Sequence, residues 1–491
     1  MIVSWMNSKH NVKWLLSIHF VIWMILALIL DIHPDMADHW VWSRYLDWGY
    51  YEHPPMVAWM MRAVTLLIPL HPIISLKIGS VAISTFILWL AYRAATSFFS
   101  YQTAFIFILI LEVTPNFSMG SVFWHIDQPY LICWLVGLIV LSKFIRTKNP
   151  NWLLLFGLVA GVGAVSKYIT LLFYFSLFFW CLIDRRFRGL FRTWQAYAAG
   201  AISFAIFSPV FCWNYVNDWV SFKFQFGRGL SGSSYLGKLP EMTQGHLILF
   251  SFIFTFMAWF LLITRRLYPR PTSESNSFLL ATTLVPFFFF SISSLRGTIA
   301  DPRWLNVSYL SLFMLLAEFI RVAIEKKKSR RYDGLFIIAF MANIFILGFV
   351  LLQVFCKILP ISLGDDNTTK LVGWLQSAHQ IESVLKANRI VDPDFVVTRE
   401  YQLGGALSLY MTNQPLSHSI EKPERNTWSR IDQVQSSTYA VICPPDECKK
   451  LLRKVKKRFN LETRFIDTIK TKVNGHLIRE LDIYVPNTQK K

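Results

Sequence analysis

The sequence predicts a polytopic α-helical membrane protein of about eleven spans, followed by a small α/β domain outside the membrane. Three observations carry this. Hydrophobic residues make up 54% of the 491 and charged residues only 16%, against roughly a quarter charged in soluble domains. Apolar runs of spanning or near-spanning length recur until about residue 358. Beyond that point the pattern changes to short strands, Gly- and Pro-bearing turns and amphipathic helices. The chain is therefore expected to divide into a membrane module, residues 1–358, and an extracytoplasmic domain, residues 359–491.

The apolar runs lie near 14–30, 73–93, 101–119, 128–144, 151–166, 168–183, 195–213, 245–264, 277–293, 304–322 and 334–358. Lys9 and Lys13 precede the first run and no small-residue cleavage site follows it, so it reads as an uncleaved span. Lys167 splits the apolar stretch after residue 150, and two short spans meeting at that lysine are expected, with one tilted span and a re-entrant segment as the alternative. Basic residues fix the orientation. With the N-terminus in the cytoplasm, the inside loops hold about nineteen, including Arg185, Arg186, Arg188 and Arg192 and the run "EKKKSRR". The opposite loops hold roughly nine, a clear positive-inside bias. The loops at Asp35 and Asp127, the segments 214–244 and 294–303, and the C-terminal domain then all face outward from a cell inner membrane.

In the C-terminal domain, "DPDFVVTREYQLGGALSLYM" reads as a strand, a Gly-containing turn and a helix. "STYAVICPPDECKKLLRKVKKRF" repeats strand, Pro-rich turn and basic helix. "TRFIDTIKTKVNGHLIRELDIYVP" reads as two strands joined at Asn-Gly. Cys443 and Cys448 leave a disulfide and two free thiols both open, with free thiols the more frequent outcome of such spacing. The net charge of +19 is spread over short loops and forms no continuous stripe, which excludes a nucleic-acid partner.

Residues suited to chemistry gather in the outward loops. "PDMADHWVWSRYLDWGYYEHPP", residues 34–55, sets Asp35, Asp38, Glu52 and His53 near the bilayer surface, where carboxylates are costly unless paired, solvated or functional. Its tryptophans and tyrosines serve equally well as an interfacial belt. "MGSVFWHIDQPYL" places Asp127 at the mouth of a span, beside His125. Alone, Asp127 would read as a first-turn acid; its placement on the same face as Asp35 raises it. Lys167 follows Gly157, Ala160, Gly161, Gly163 and Ala164, small residues that permit close helix packing. Its ammonium suits either a phosphate or the interface. "PVFCWNYVNDWVSFKFQFGRG" interleaves Lys223 and Arg228 with aromatics, as a peripheral amphipathic helix or as a groove for a lipid phosphate.

Several of these stretches resemble one family in order along the chain. "PDMADHWVWS" and "WGYYEHPPMVAW" are similar to the first outer loop of bacterial GT-C glycosyltransferases of the protein-mannosyltransferase and aminoarabinose-transferase type. "HIDQPYLICWL", "GLVAGVGAVSKYITLL", "PVFCWNYVNDWVSFKFQFGRG" and "FVVTREYQLGGALSLYM" resemble further motifs of that family. The resemblance implies a GT-C fold and a polyprenyl-phosphate (undecaprenyl-type) sugar donor, with transfer on the outer face. It implies Asp35 as the catalytic residue and matches Asp127 and Lys167 to the family's second-loop aspartate and its lysine. Asp127 is expected as a second catalytic residue, and Lys167, His53, Lys223, Arg228 and Arg303 around the donor phosphate. Asp38 and His125 stand as accessory residues, and Glu52 as a candidate ligand if a divalent metal is used. Met36 replaces an acid of the family pattern, and "RWLNVSYL" follows its motif only loosely.

The chemistry agrees. Moving a sugar from a lipid phosphate to a hydroxyl needs a general base for the attacking oxygen. It also needs positive charge to offset the phosphate as it leaves. A phosphate departs without a proton donor, so one carboxylate suffices, and attack opposite the leaving group is expected to invert the anomeric carbon. The acceptor remains open between lipid A, another glycan and a protein. The alternative classes are a transporter or flippase of a lipid-linked sugar, and a scaffold. A transporter places its polar groups near mid-bilayer in repeated halves, whereas here charges gather at one face.

Overall fold

The computed structural model describes residues 11–230, 238–264, 266, 273–296, 301–325, 330–363, 365–426, 438–459 and 462–487. At 228–230, 296, 330–333, 423 and 459 it describes the backbone alone.

Each expected run meets a helix. Seven helices among the described residues are long and apolar enough to cross a membrane: α1 (Asn11–Ile29), α4 (Pro72–Phe98), α6 (Asp127–Thr147), α9 (Trp194–Val216), α13 (Glu274–Arg296), α14 (Asn306–Glu325) and α15 (Arg330–Cys356). Two bent helix pairs pass the same test only when joined, each a broken span or a re-entrant loop. One joins α8 (Leu171–Ile183), with the turn before it, to the 3₁₀ segment Arg185–Arg192, at 120°. The other joins α11 (Leu239–Leu249) to α12 (Phe252–Ile263), at 107°. The run at 245–264 is therefore not one straight span. Ser251, at φ +69°, breaks it and accepts from the Phe254 amide as cap of the second helix. The remaining two runs form α5 (Tyr101–Val113) and α7 (Trp152–Ser166). At about 20–23 Å each falls short of a hydrocarbon core on its own. The expectation of about eleven spans thus becomes seven to nine by length and composition among the described residues.

The small residues before Lys167 pack as the sequence suggests. A Cβ on Gly157 would lie 2.6 Å from the Ala199 Cα, and one on Gly161 2.9 Å from that of Ser203, so α7 and α9 touch backbone to backbone. α7 ends at Ser166, and Lys167 is extended before a 3₁₀ turn leads into α8.

The first loop folds into α2 (Pro34–Arg44), with its Pro at the first turn, and α3 (Met56–Leu67). α10 (Val220–Leu230) is the amphipathic helix expected after α9.

The C-terminal region holds a five-stranded mixed sheet in the order β2-β1-β3-β5-β4. Its strands are β1 (Phe395–Thr398), β2 (Leu416–Ser419), β3 (Tyr439–Cys443), β4 (Thr463–Val473) and β5 (His476–Pro486). β1 runs parallel to β2 and β3, while β5 runs antiparallel to β3 and β4. Its helices are α16 (Trp374–Ala387), α17 (Tyr401–Tyr410) and α18 (Pro445–Phe459). Asn474 and Gly475 both take positive φ, 49° and 82°, as a two-residue hairpin requires.

Two expectations need correction. Gly404 and Gly405 lie inside α17 and form no turn. A Cβ on Gly405 would come within 2.8 Å of the Asp38 Cα, so the glycine is where α17 lies against α2. Cys443 and Cys448 are a disulfide, with Cα atoms 5.4 Å apart, and not free thiols. The end of β3 and the first turn of α18 bring them within the bridging range.

One buried cluster, including Met36, Trp40, Trp374, Leu407 and Ile483, runs from the first loop into the C-terminal region. Asp31 reinforces the junction by accepting from the Trp374 amide at 2.7 Å.

Candidate functional site

Asp35 opens α2, and its two oxygens have different surroundings. Oδ1 accepts from the Gln402 amide at 2.7 Å and from the Tyr401 hydroxyl at 3.3 Å. Oδ2 has the His33 ring 3.8 Å away. His33 caps the helix by accepting at Nδ1 from the Asp35 backbone amide at 3.2 Å. Burial pushes His33 down to about 4 and His39 down to about 3, so both rings are neutral at pH 7. Asp35 stands below the ordinary carboxylate range: burial raises it, and His33, His125 and the Gln402 amide together outweigh that. With His33 neutral at pH 7, the hydrogen bonds from the Gln402 amide and the Tyr401 hydroxyl favour the carboxylate there.

Asp127 opens α6 and is neutralised. Its Oδ1 forms a buried ion pair with Lys167 Nζ, and its Oδ2 is 3.5 Å from His125 Nδ1. The break at Lys167 turns that side chain inward instead of along a continuous helix. Arg303 holds Asp301 through Nε at 3.1 Å and Nη2 at 2.8 Å, a pair that leaves its Nη1 out. Burial raises Asp301, and Arg303 more than reverses it.

Glu52 pairs with Arg425, whose other nitrogen is 4.0 Å from Asp38. The Arg425 guanidinium lies 3.4 Å over the Tyr401 ring. Asp38, 2% exposed, is pushed up to about 8 by burial, against the pull of Arg425, so it is largely protonated at neutral pH. It takes no place on the cavity wall. His53 is buried, with its Nδ1 3.3 Å from the Gln225 amide. No group of three or more His, Cys, Asp or Glu suited to a metal occurs among the described residues. Glu52, the candidate metal ligand, instead faces a guanidinium.

Asp35, Glu52, His53, His125, Lys167, Lys223 and Arg303 all line one cavity of about 1680 Å³. The Arg228 side chain lies outside the described residues. One part of the wall is polar. The other runs between helices and is lined by Ala160, Leu171, Phe175, Phe204, Phe207 and Phe289. Lys422 joins the polar part, its ammonium 5.0 Å from the Phe224 ring. Lys223 and Lys422 are exposed and make no ion pair with a carboxylate among the described residues.

Tyr401, Gln402, Lys422, Arg425 and Asp301 were not singled out from the sequence. "REYQLGG" carried a family-like motif, which was the available signal for the first two. Nothing in sequence order brings Lys422 or Arg425 to the first loop.

Comparison with known proteins agrees with this architecture. The model of the family described as dolichyl-phosphate-mannose-protein mannosyltransferase matches residues 52–213. A curated relative, the lipid A galacturonosyltransferase RgtD of Rhizobium johnstonii, is 27% identical over 164 residues. That match covers 32% of this chain and 34% of the relative, so the chain matches about a third of the relative's length. Among solved structures, ArnT from Cupriavidus metallidurans bound to undecaprenyl phosphate superposes with a TM-score of 0.69 at 15% identity, covering 98% of this chain and 99% of the other. Its apo form gives 0.66 at 15% identity, covering 96% and 97%. The resemblance to GT-C glycosyltransferases holds: the chain is a polytopic helical membrane protein with an ArnT-like fold.

Proposed function

We propose that this chain is an inverting glycosyltransferase that moves a sugar from a polyprenyl-phosphate donor to an envelope acceptor at the extracytoplasmic membrane surface. The observation that carries the reading is the single cavity in which an apolar passage between helices meets Asp35. A prenyl chain matches the apolar wall, and the phosphate and sugar match the polar one. The acceptor hydroxyl gives its proton to Asp35 as its oxygen bonds to the anomeric carbon. The bond from that carbon to the phosphate oxygen breaks, and the polyprenyl phosphate leaves with the electron pair. Arg303, Lys223 and Lys422 offset the charge on the leaving phosphate. Lys167 acts chiefly as the counter-ion of Asp127, and His53 and His125 border the reacting groups.

Lipid A is the acceptor we favour, because the curated relative is named for acting on it. The Cys443–Cys448 disulfide supports an oxidising, extracytoplasmic setting for the C-terminal region. The sequence-based topology puts the membrane as the cell inner membrane. Purified protein in mixed micelles, given radiolabelled undecaprenyl-phosphate sugars and lipid A, should transfer label without any ion gradient. Movement of the donor across a vesicle membrane with no transfer to lipid A or other envelope acceptors would favour a flippase instead.

A further inference from the structure

The C-terminal region reaches the reacting carboxylate itself. Tyr401 and Gln402, the first residues of α17, lie 366 and 367 positions from Asp35, yet both donate to its Oδ1. The helix is held there at several points. Gly405 admits the Asp38 backbone, and the Tyr410 hydroxyl accepts from the Ile32 amide at 2.6 Å. Between them, Arg425 covers the Tyr401 ring and pairs with Glu52 of the first loop. Asp35 lines the cavity, and among the described residues its Oδ2 accepts no hydrogen bond, His33 being too distant at 3.8 Å. The His33 nitrogen nearest to it already accepts from a backbone amide and has no proton to give.

We propose that Gln402 is the positioning residue of Asp35: its amide occupies Oδ1 and sets the carboxylate plane, leaving Oδ2 to take the acceptor's proton. Tyr401, clamped by Arg425, fixes the direction from which the amide approaches. This rests on the transferase reading above. The amide also favours the ionised carboxylate, so its loss raises the pH at which Asp35 becomes a competent base. The charged and titratable groups around Asp35 are His33, His39 and Asp38 of the first loop, His125 of the second, Arg303 before α14, and Tyr401 of α17. None of them but Tyr401 makes a hydrogen bond to the carboxylate.

The test uses full-length purified protein, a radiolabelled undecaprenyl-phosphate sugar and lipid A. Gln402→Leu keeps the side-chain volume and removes the donor. It should lower kcat about ten- to hundredfold, the worth of one hydrogen bond to a charged group, with the donor KM unchanged. The acid limb of its kcat/KM profile should move to higher pH. In an Asp35→Asn background the same change should cost nothing further, because the proton acceptor it serves is gone. Tyr401→Phe keeps the ring beneath Arg425 and loses only the longer bond, so its acid limb should move the same way by less. If Gln402→Leu does not fold, an unmoved acid limb in Tyr401→Phe overturns the proposal. Wild-type kcat in Gln402→Leu, or a full additional loss in the Asp35→Asn background, overturns it directly. A wild-type protein that transfers no sugar overturns the transferase reading, and this inference with it.

Discussion

The first outer loop presents Asp35 to the cavity, whereas the second sets Asp127 behind its wall, paired with the wall residue Lys167, and the neighbours of the two aspartates differ. Asp127 faces an ammonium and is neutralised in place; Asp35 faces an amide and a phenol, and keeps both its charge and an open oxygen. A carboxylate locked to a buried lysine is a poor proton acceptor, because taking a proton would strand the lysine charge. A carboxylate fixed by neutral donors strands no partner charge when it takes a proton. The difference separates a residue that builds the site from one suited to react in it.

The largest expected effect breaks the comparison on the Asp35 side. Asp35→Asn retains size and the capping geometry but removes the base, and should lower turnover about 10²- to 10⁴-fold with the protein folded. Next is the Asp127 side. Lys167→Met alone leaves Asp127 buried without its counter-ion and should destabilise the protein by about 3–5 kcal/mol, read as a fall in thermal midpoint in detergent. Pairing it with Asp127→Asn should recover most of that loss, since neither charge is then stranded.

These contrasts were partly legible in the sequence. Both aspartates stand out as acids beside apolar runs, and the positive-inside count placed them on one face. Which of them is neutralised was not legible, because Lys167 pairs across 40 positions and Gln402 across 367. "LGG" read locally as a turn, since glycine weakens helices. In the fold Gly405 is needed because the Asp38 backbone occupies the space of its side chain. The bend at Ser251 was hidden for a related reason, as hydropathy registers an apolar run and not its direction. The hairpin at Asn474-Gly475 was readable because its turn chemistry is local.

A smaller effect sharpens the account of the junction. Arg425→Met frees Tyr401 and leaves Glu52 partly buried and unpaired, and should cost about 2 kcal/mol of stability together with some turnover. The smallest concerns Asp38. Its folded value is raised to about 8, so the stability gained by keeping it neutral is fully present below the ordinary carboxylate range and is lost as pH rises to about 8. Asp38→Asn should flatten the fall of the thermal midpoint between about pH 5 and pH 8 while leaving turnover unchanged. A severe loss of turnover would mean that Asp38 takes part in the chemistry.

The difference between the two loops is tested most directly by comparing Asp35→Asn with the double variant Asp127→Asn/Lys167→Met. Both are assayed for sugar transfer to lipid A at equal amounts of folded protein. The account predicts that the charge-free pair keeps turnover within about tenfold of wild type, while Asp35→Asn falls at least about a hundredfold. Near-wild-type transfer by Asp35→Asn, or an equally deep loss in the double variant, would contradict it.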